Sequence, residues 1–174
     1  MIKAEELKWQ NISEYIIHMY KSEDLVRTFA FDLNKITDYL IANIPVSASE
    51  KKEQVLWYAA LIEQMRVDNI EVKGHLNELK NLVSQLSKLH IKLIEEDKIY
   101  QNINSKATPF IQNQIKVSKN TVRDPIQICL NAVYGFLLLK INSKGITDDQ
   151  QKMLDAFGNL LSYLSFTYKE ERIK

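Results

Sequence analysis

Apolar side chains return once per helical turn along almost the whole chain, and that rhythm constrains the fold more than any other feature. Between residues 4 and 44 the series runs Ile12, Tyr15, Met19, Ser22, Val26, Phe29, Leu33, Ile36 and Leu40, with Ser22 its only polar member. A rod with one apolar stripe must bury it against other rods. Glycine and proline, which build tight turns, number 4 and 3 among 174 residues, or about 4% against a usual level of roughly 12%. Sandwiches, propellers and phosphate-cradling loops are therefore disfavoured. The length suits one domain. The expected architecture is all-α: a single-domain bundle of about six helices over residues 1–174, antiparallel wherever connectors are short.

The stretch 4–44 allows two forms. One is a continuous or gently kinked helix about 60 Å long at 1.5 Å per residue, the form favoured because the stripe stays in register across Ser22. The other is a pair broken near Lys21-Ser22, with Ser22 as N-cap. Pro45 ends the stretch, and Ser49 heads a second helix that carries Trp57, Tyr58, Leu61, Ile62 and Met65 and should be deeply packed. Asp68-Asn69 reads as a turn. A third helix starts near Glu71 with a leucine stripe from Leu76 to Leu93 that takes in His75 and His90. Asn102–Lys106 weakens it, and Thr108-Pro109 looks like the start of a short helix. The helix from Asp124-Pro125 to about Asn142 is apolar on every side and should be central, ending at Gly145 in the manner of a glycine cap. Thr147 caps the last helix.

Net charge is +1, so no global field selects nucleic acid, membrane or acidic substrates. The lone Cys129 excludes an internal disulfide and reads as a small buried hydrophobe. The N-terminus shows no apolar secretory segment, and the longest apolar run, Ala132–Leu139, falls far short of the ~20 residues of a bilayer span. A cytoplasmic protein follows by default. The four glycines are too far apart for a dinucleotide or nucleotide loop. No CxxC, HExxH or Glu-x-x-His motif occurs. No cofactor or metal is expected.

Three groups of residues merit weighing. Glu14 and His18 are four apart on a helix, as are Glu23 and Arg27, so each pair can meet. With Tyr15, Met19, Asp24 and His75 they outline a candidate polar pocket in which Glu14 or His18 exchanges protons. The plainer alternative is a helix flank with ordinary salt bridges. His75 and His90 lie about 22 Å apart along one helix and cannot share a metal; each serves a structural hydrogen bond on the plain reading. Residues 98–123 carry Lys98, Lys106, Lys116, Lys119 and Arg123 and no acid, with Tyr100 and Phe110 interleaved. Such a stretch can bind phosphates and stack bases, but its charge is sparse, and Ile99, Ile103, Phe110 and Ile111 look core-directed.

Several stretches together resemble a family of small, uncharacterised bacterial proteins, a domain family of unknown function. They are Glu14-Tyr15 with Met19, Glu23-Asp24-Leu25 with Arg27, Lys73-Gly74-His75-Leu76, Leu89-His90, Pro109-Phe110-Ile111, and Cys129 followed by Tyr134-Gly135. They span one whole domain; Thr108 stands where the family pattern has Leu. The resemblance implies an all-helical bacterial protein and supplies no activity, cofactor or partner. It draws attention to the Glu14–Arg27 stretch and to His75. The first functional reading is a non-enzymatic helical module acting through protein contacts, with self-association to cover its surplus apolar faces. The second is a small-molecule binding protein or enzyme using the candidate pocket. The third is a weak polyanion binder acting through residues 98–123.

Overall fold

The computed structural model describes residues 4–173; the Met1-Ile2-Lys3 part of the N-terminal reading lies outside them. Among the described residues there are eight α-helices and no strand, so the all-α class stands and the count of about six is low. They are α1 (Ala4–Gln10), α2 (Ile12–Thr28), α3 (Leu33–Lys35), α4 (Ala48–Val67), α5 (Asn77–Glu96), α6 (Lys98–Val117), α7 (Pro125–Ile141) and α8 (Asp148–Ile173). A π-turn, Ile36–Leu40, and a 3-10 turn, Ile41–Asn43, follow α3. No described helix is long and apolar enough to cross a membrane. The chain divides into two compact units, residues 19–80 and residues 1–18 with 81–174.

In the 19–80 unit, neither form expected for residues 4–44 occurs. Ser22 does not cap a helix; it lies inside α2, 1% exposed and hydrogen-bonded to Tyr58. The helix stops instead after Thr28. Ala30 and Phe31 adopt left-handed backbone (φ 52° and 61°), and the Phe31 amide donates to the Val26 carbonyl and the Ala30 amide to that of Arg27, both at 2.9 Å. This paired closure ends helices, usually around glycine; here it uses none, so glycine-spotting misses it. Asp32 starts the next segment, its carboxylate accepting the amides of Asn34 and Lys35. A second break precedes α2, where the Asn11 side chain accepts the Glu14 amide.

Helix α4 is headed by Ser47, in a reciprocal capping box with Glu50, and not by Ser49. Tyr58, Leu61, Ile62 and Met65 are buried, but Leu56 is 63% and Val67 70% exposed, so only one face of this helix is packed. The expected turn at Asp68-Asn69 is present, with Asn69 left-handed. It opens a connector that runs to Leu76, and α5 begins at Asn77, whose amide donates to Asp68. Gly74 and His75 are thus connector residues and not part of the leucine stripe.

In the other unit, α8 packs against α6 and α7, with Phe157, Leu160, Leu161 and Leu164 buried. Ser13 meets the same helix: the Ser165 hydroxyl donates to Ser13 Oγ at 2.7 Å. The weakening expected at residues 102–106 does not occur. Asp97 turns the chain by accepting the Ile99 and Tyr100 amides, and α6 then runs unbroken through Pro109. Pro109 and Ser105 are both exposed, so water can serve the Ser105 carbonyl that loses its helical donor. The Thr108 hydroxyl donates to the Asn104 carbonyl and caps nothing. Asp124 and Pro125 do open α7, and Thr147 caps α8. At the end of α7 the left-handed position belongs to Ser143, not Gly145. Helix α7 is only partly central: Ile126, Ile128, Cys129 and Leu130 are buried, whereas Leu138 is 37% and Ile141 54% exposed.

Candidate functional site

Helix α2 presents Tyr20, Glu23, Asp24 and Arg27 within two turns, and the connector after α4 presents Ile70, Gly74, His75 and Leu76. The Glu23 side chain is completely buried. A carboxylate without donors in such a place would be costly, and both of its oxygens are served. Oε2 accepts from His75 Nδ1 at 2.6 Å, and Oε1 accepts from the Leu76 amide at 2.9 Å. Tyr20, 1% exposed, stacks on the His75 ring with centroids 3.7 Å apart.

Arg27 fastens the same connector one turn further on. Its guanidinium donates to the Ile70 carbonyl at 3.2 and 3.3 Å, to the Gly74 carbonyl, and to Asp24 at 2.9 Å. Glycine is required at position 74, where φ is +98° and a side chain would be strained. The expected Glu23–Arg27 pair does not form: each residue reaches instead for a different part of the connector. With its donors spent on backbone oxygens and Asp24, Arg27 is a structural clamp.

The imidazole is therefore held at Nδ1 and on one face, on a connector that Arg27 fastens. In the neutral ring, Nδ1–H donating to the carboxylate leaves the lone pair on Nε2, the arrangement by which carboxylates set histidine tautomers. The His75 side chain is 32% exposed. Among the described residues Nε2 has no hydrogen-bond partner, and no buried side-chain nitrogen or oxygen there lacks one; Nε2 therefore opens to solvent.

Of the residues proposed from sequence, Glu23, Asp24, Arg27 and His75 are brought together here, and Met19 is buried in the same unit. Glu14, Tyr15 and His18 belong to the other unit. There Glu14 is exposed, Tyr15 is 3% exposed with Lys8 Nζ 5.5 Å from its ring centre, and His18 is half-buried. Tyr20 was missed by the sequence reading; stacking across a connector leaves no mark in periodicity.

A second histidine cluster lies in the larger unit. His90, 5% exposed, shares a 2.6 Å hydrogen bond through Nδ1 with the hydroxyl of the fully buried Tyr100. Burial pushes the His90 pKa down, with the charge of Asp124 opposing, and burial pushes the Tyr100 phenol up. The Tyr163 hydroxyl donates to Asp97 at 2.6 Å, which holds that carboxyl below its usual range and raises the phenol. Burial pushes the Cys129 thiol well up, which keeps it protonated and unreactive. A groove of about 530 Å³ between α5 and α6 is lined by Ile94, Gln101, Asn104, Ser105, Thr108 and Pro109. Gln101, Ser105 and Thr108 donate to backbone carbonyls of their own surroundings, and no lining side chain titrates. No group of metal-ligating side chains occurs among the described residues.

The chain is thus an all-helical protein with a carboxylate-held histidine on a clamped connector. It belongs to the family described as a domain of unknown function, DUF4924, whose model matches residues 1–174. No curated protein and no solved structure matches it.

Proposed function

We propose that the protein acts through protein contacts, as a non-enzymatic module, and associates with itself through the distal half of α7. The observation that carries this reading is the uneven cover of that helix. Its first turns are sealed, while Val133, Tyr134, Leu137 and Leu139 are half-covered and Leu138 and Ile141 are exposed. Exposed apolar side chains one turn apart, such as Leu138 and Ile141, can seed an interaction surface. Sedimentation velocity across a hundredfold concentration range tests it. The wild type should form a dimer or larger species that Leu138→Asp with Ile141→Asp disperses. A wild type that stays monomeric throughout overturns the reading.

The polyanion reading has less support. Lys98, Lys106, Lys116, Lys119 and Arg123 are all exposed, but Tyr100 is sealed and cannot stack on a base. Ile99, expected to face the core, is 65% exposed. A small-molecule reading has one specific observation in its favour, the open nitrogen of His75.

A further inference from the structure

We propose that His75 is a covalent acceptor site for uncharged, activated acyl groups such as esters and thioesters, with Glu23 as its positioning residue. A nucleophilic imidazole needs an unprotonated nitrogen that solvent can reach and a partner that accepts positive charge from the other nitrogen. His75 Nε2 meets the first requirement. Glu23 Oε2, 2.6 Å from Nδ1 and shielded from water, meets the second. Tyr20 on one ring face and the Arg27 clamp on the connector hold the ring in that pose, so little reorganisation accompanies reaction.

In the step itself, the Nε2 lone pair bonds to the carbonyl carbon. The bond from that carbon to the alkoxide or thiolate breaks, and the leaving group departs with its electron pair. The positive charge that develops on the ring is stabilised by Glu23. Moving the Nδ1 proton toward Oε2 leaves a neutral acyl-imidazole, a stoichiometric covalent modification of the side chain.

Surrounding charge selects the class of donor. Asp24, Asp68, Glu71 and Glu78 accompany Glu23 on the two segments that meet here, against Lys21, Arg27, Lys73 and Lys80. Arg27 is already committed to carbonyls and Asp24. Five acids against four bases leave no positive excess that would favour an anionic donor over an uncharged ester.

The test uses the full-length protein and p-nitrophenyl acetate. Nitrophenolate release is followed by absorbance, and the acetyl group is located by rapid quench and peptide mapping. Wild-type protein should carry the acetyl group on His75 ahead of His18 and the lysines, and His75→Gln should lose that fast phase. Glu23→Gln should slow it at least about tenfold, since loss of an orienting partner costs even a metal-bound histidine about 10–100-fold. Glu23→Asp, which keeps a carboxylate behind the ring, should recover part of the fast phase, a rescue of rate that a merely structural Glu23 would not predict. Acetylation of lysines alone, of His18 at the same rate, or an unchanged rate in Glu23→Gln overturns the proposal. If Glu23→Gln does not fold by circular dichroism, the mapped site in the wild type decides by itself.

Discussion

His75 and His90 make the same first contact and end in opposite situations. Each places Nδ1 2.6 Å from an oxygen on a completely buried partner. The partner of His75 is a carboxylate, and its ring keeps a third of its surface in water. The partner of His90 is a phenol, and its ring is sealed inside helix packing. In the first case the carboxylate dictates which nitrogen keeps its lone pair and the exposure makes that lone pair usable. In the second, burial favours the neutral ring and removes it from any reactant. What a histidine can do is settled less by its hydrogen bond than by where its second nitrogen lies.

The sharpest way to break the comparison is to remove each partner. Glu23→Ala should cost about 3 kcal/mol, because it strands the Leu76 amide and the His75 Nδ1–H together and both had been bonded to an ionised group. Tyr100→Phe removes a single neutral hydrogen bond from a sealed site and should cost about 1–2 kcal/mol. Urea unfolding monitored by circular dichroism checks both. Equal losses would mean that the carboxylate adds nothing beyond an ordinary hydrogen bond.

Mild acid gives a smaller effect of defined sign. Burial holds the folded-state pKa of His90 below the ordinary histidine value of 6.5, so just below that pH the unfolded chain binds a proton that the native state refuses. Stability therefore rises with pH across this window and falls as pH drops through 6.5 toward the folded-state value. His90→Gln should flatten that part of the stability–pH curve relative to wild type; an unchanged curve would place the acid sensitivity elsewhere.

Helical class was legible because one stripe per turn is a property of many residues at once, and several starts were legible because Asp124-Pro125 and Thr147 are capping residues in the right place. Helix ends were harder to see. The chain closes α2, α4, α6 and α7 with left-handed Ala30 and Phe31, Asn69, Lys119 and Asn120, and Ser143, residues that carry little of glycine's signal. Leu76 and Leu79 keep the leucine rhythm alive beside the connector, which hid the fact that Gly74 and His75 are not helical. Pro109 misled in the other direction, since a proline on an exposed helical face is tolerated. Half of the candidate site was visible as Glu23, Asp24 and Arg27 on one helix. Their partners were not, because Glu23 and His75 are 52 residues apart and no spacing rule connects them.

Amide hydrogen exchange at Leu76, compared between wild type and Glu23→Ala, tests the central claim most directly. The amide lies just outside α5 and owes its protection to the Glu23 carboxylate, so it should exchange slowly in the wild type. In the variant it should exchange much faster, while amides inside α5 such as Leu86 keep their protection. Equal Leu76 exchange in the two proteins would contradict the account of Glu23 as the group that holds His75 in place.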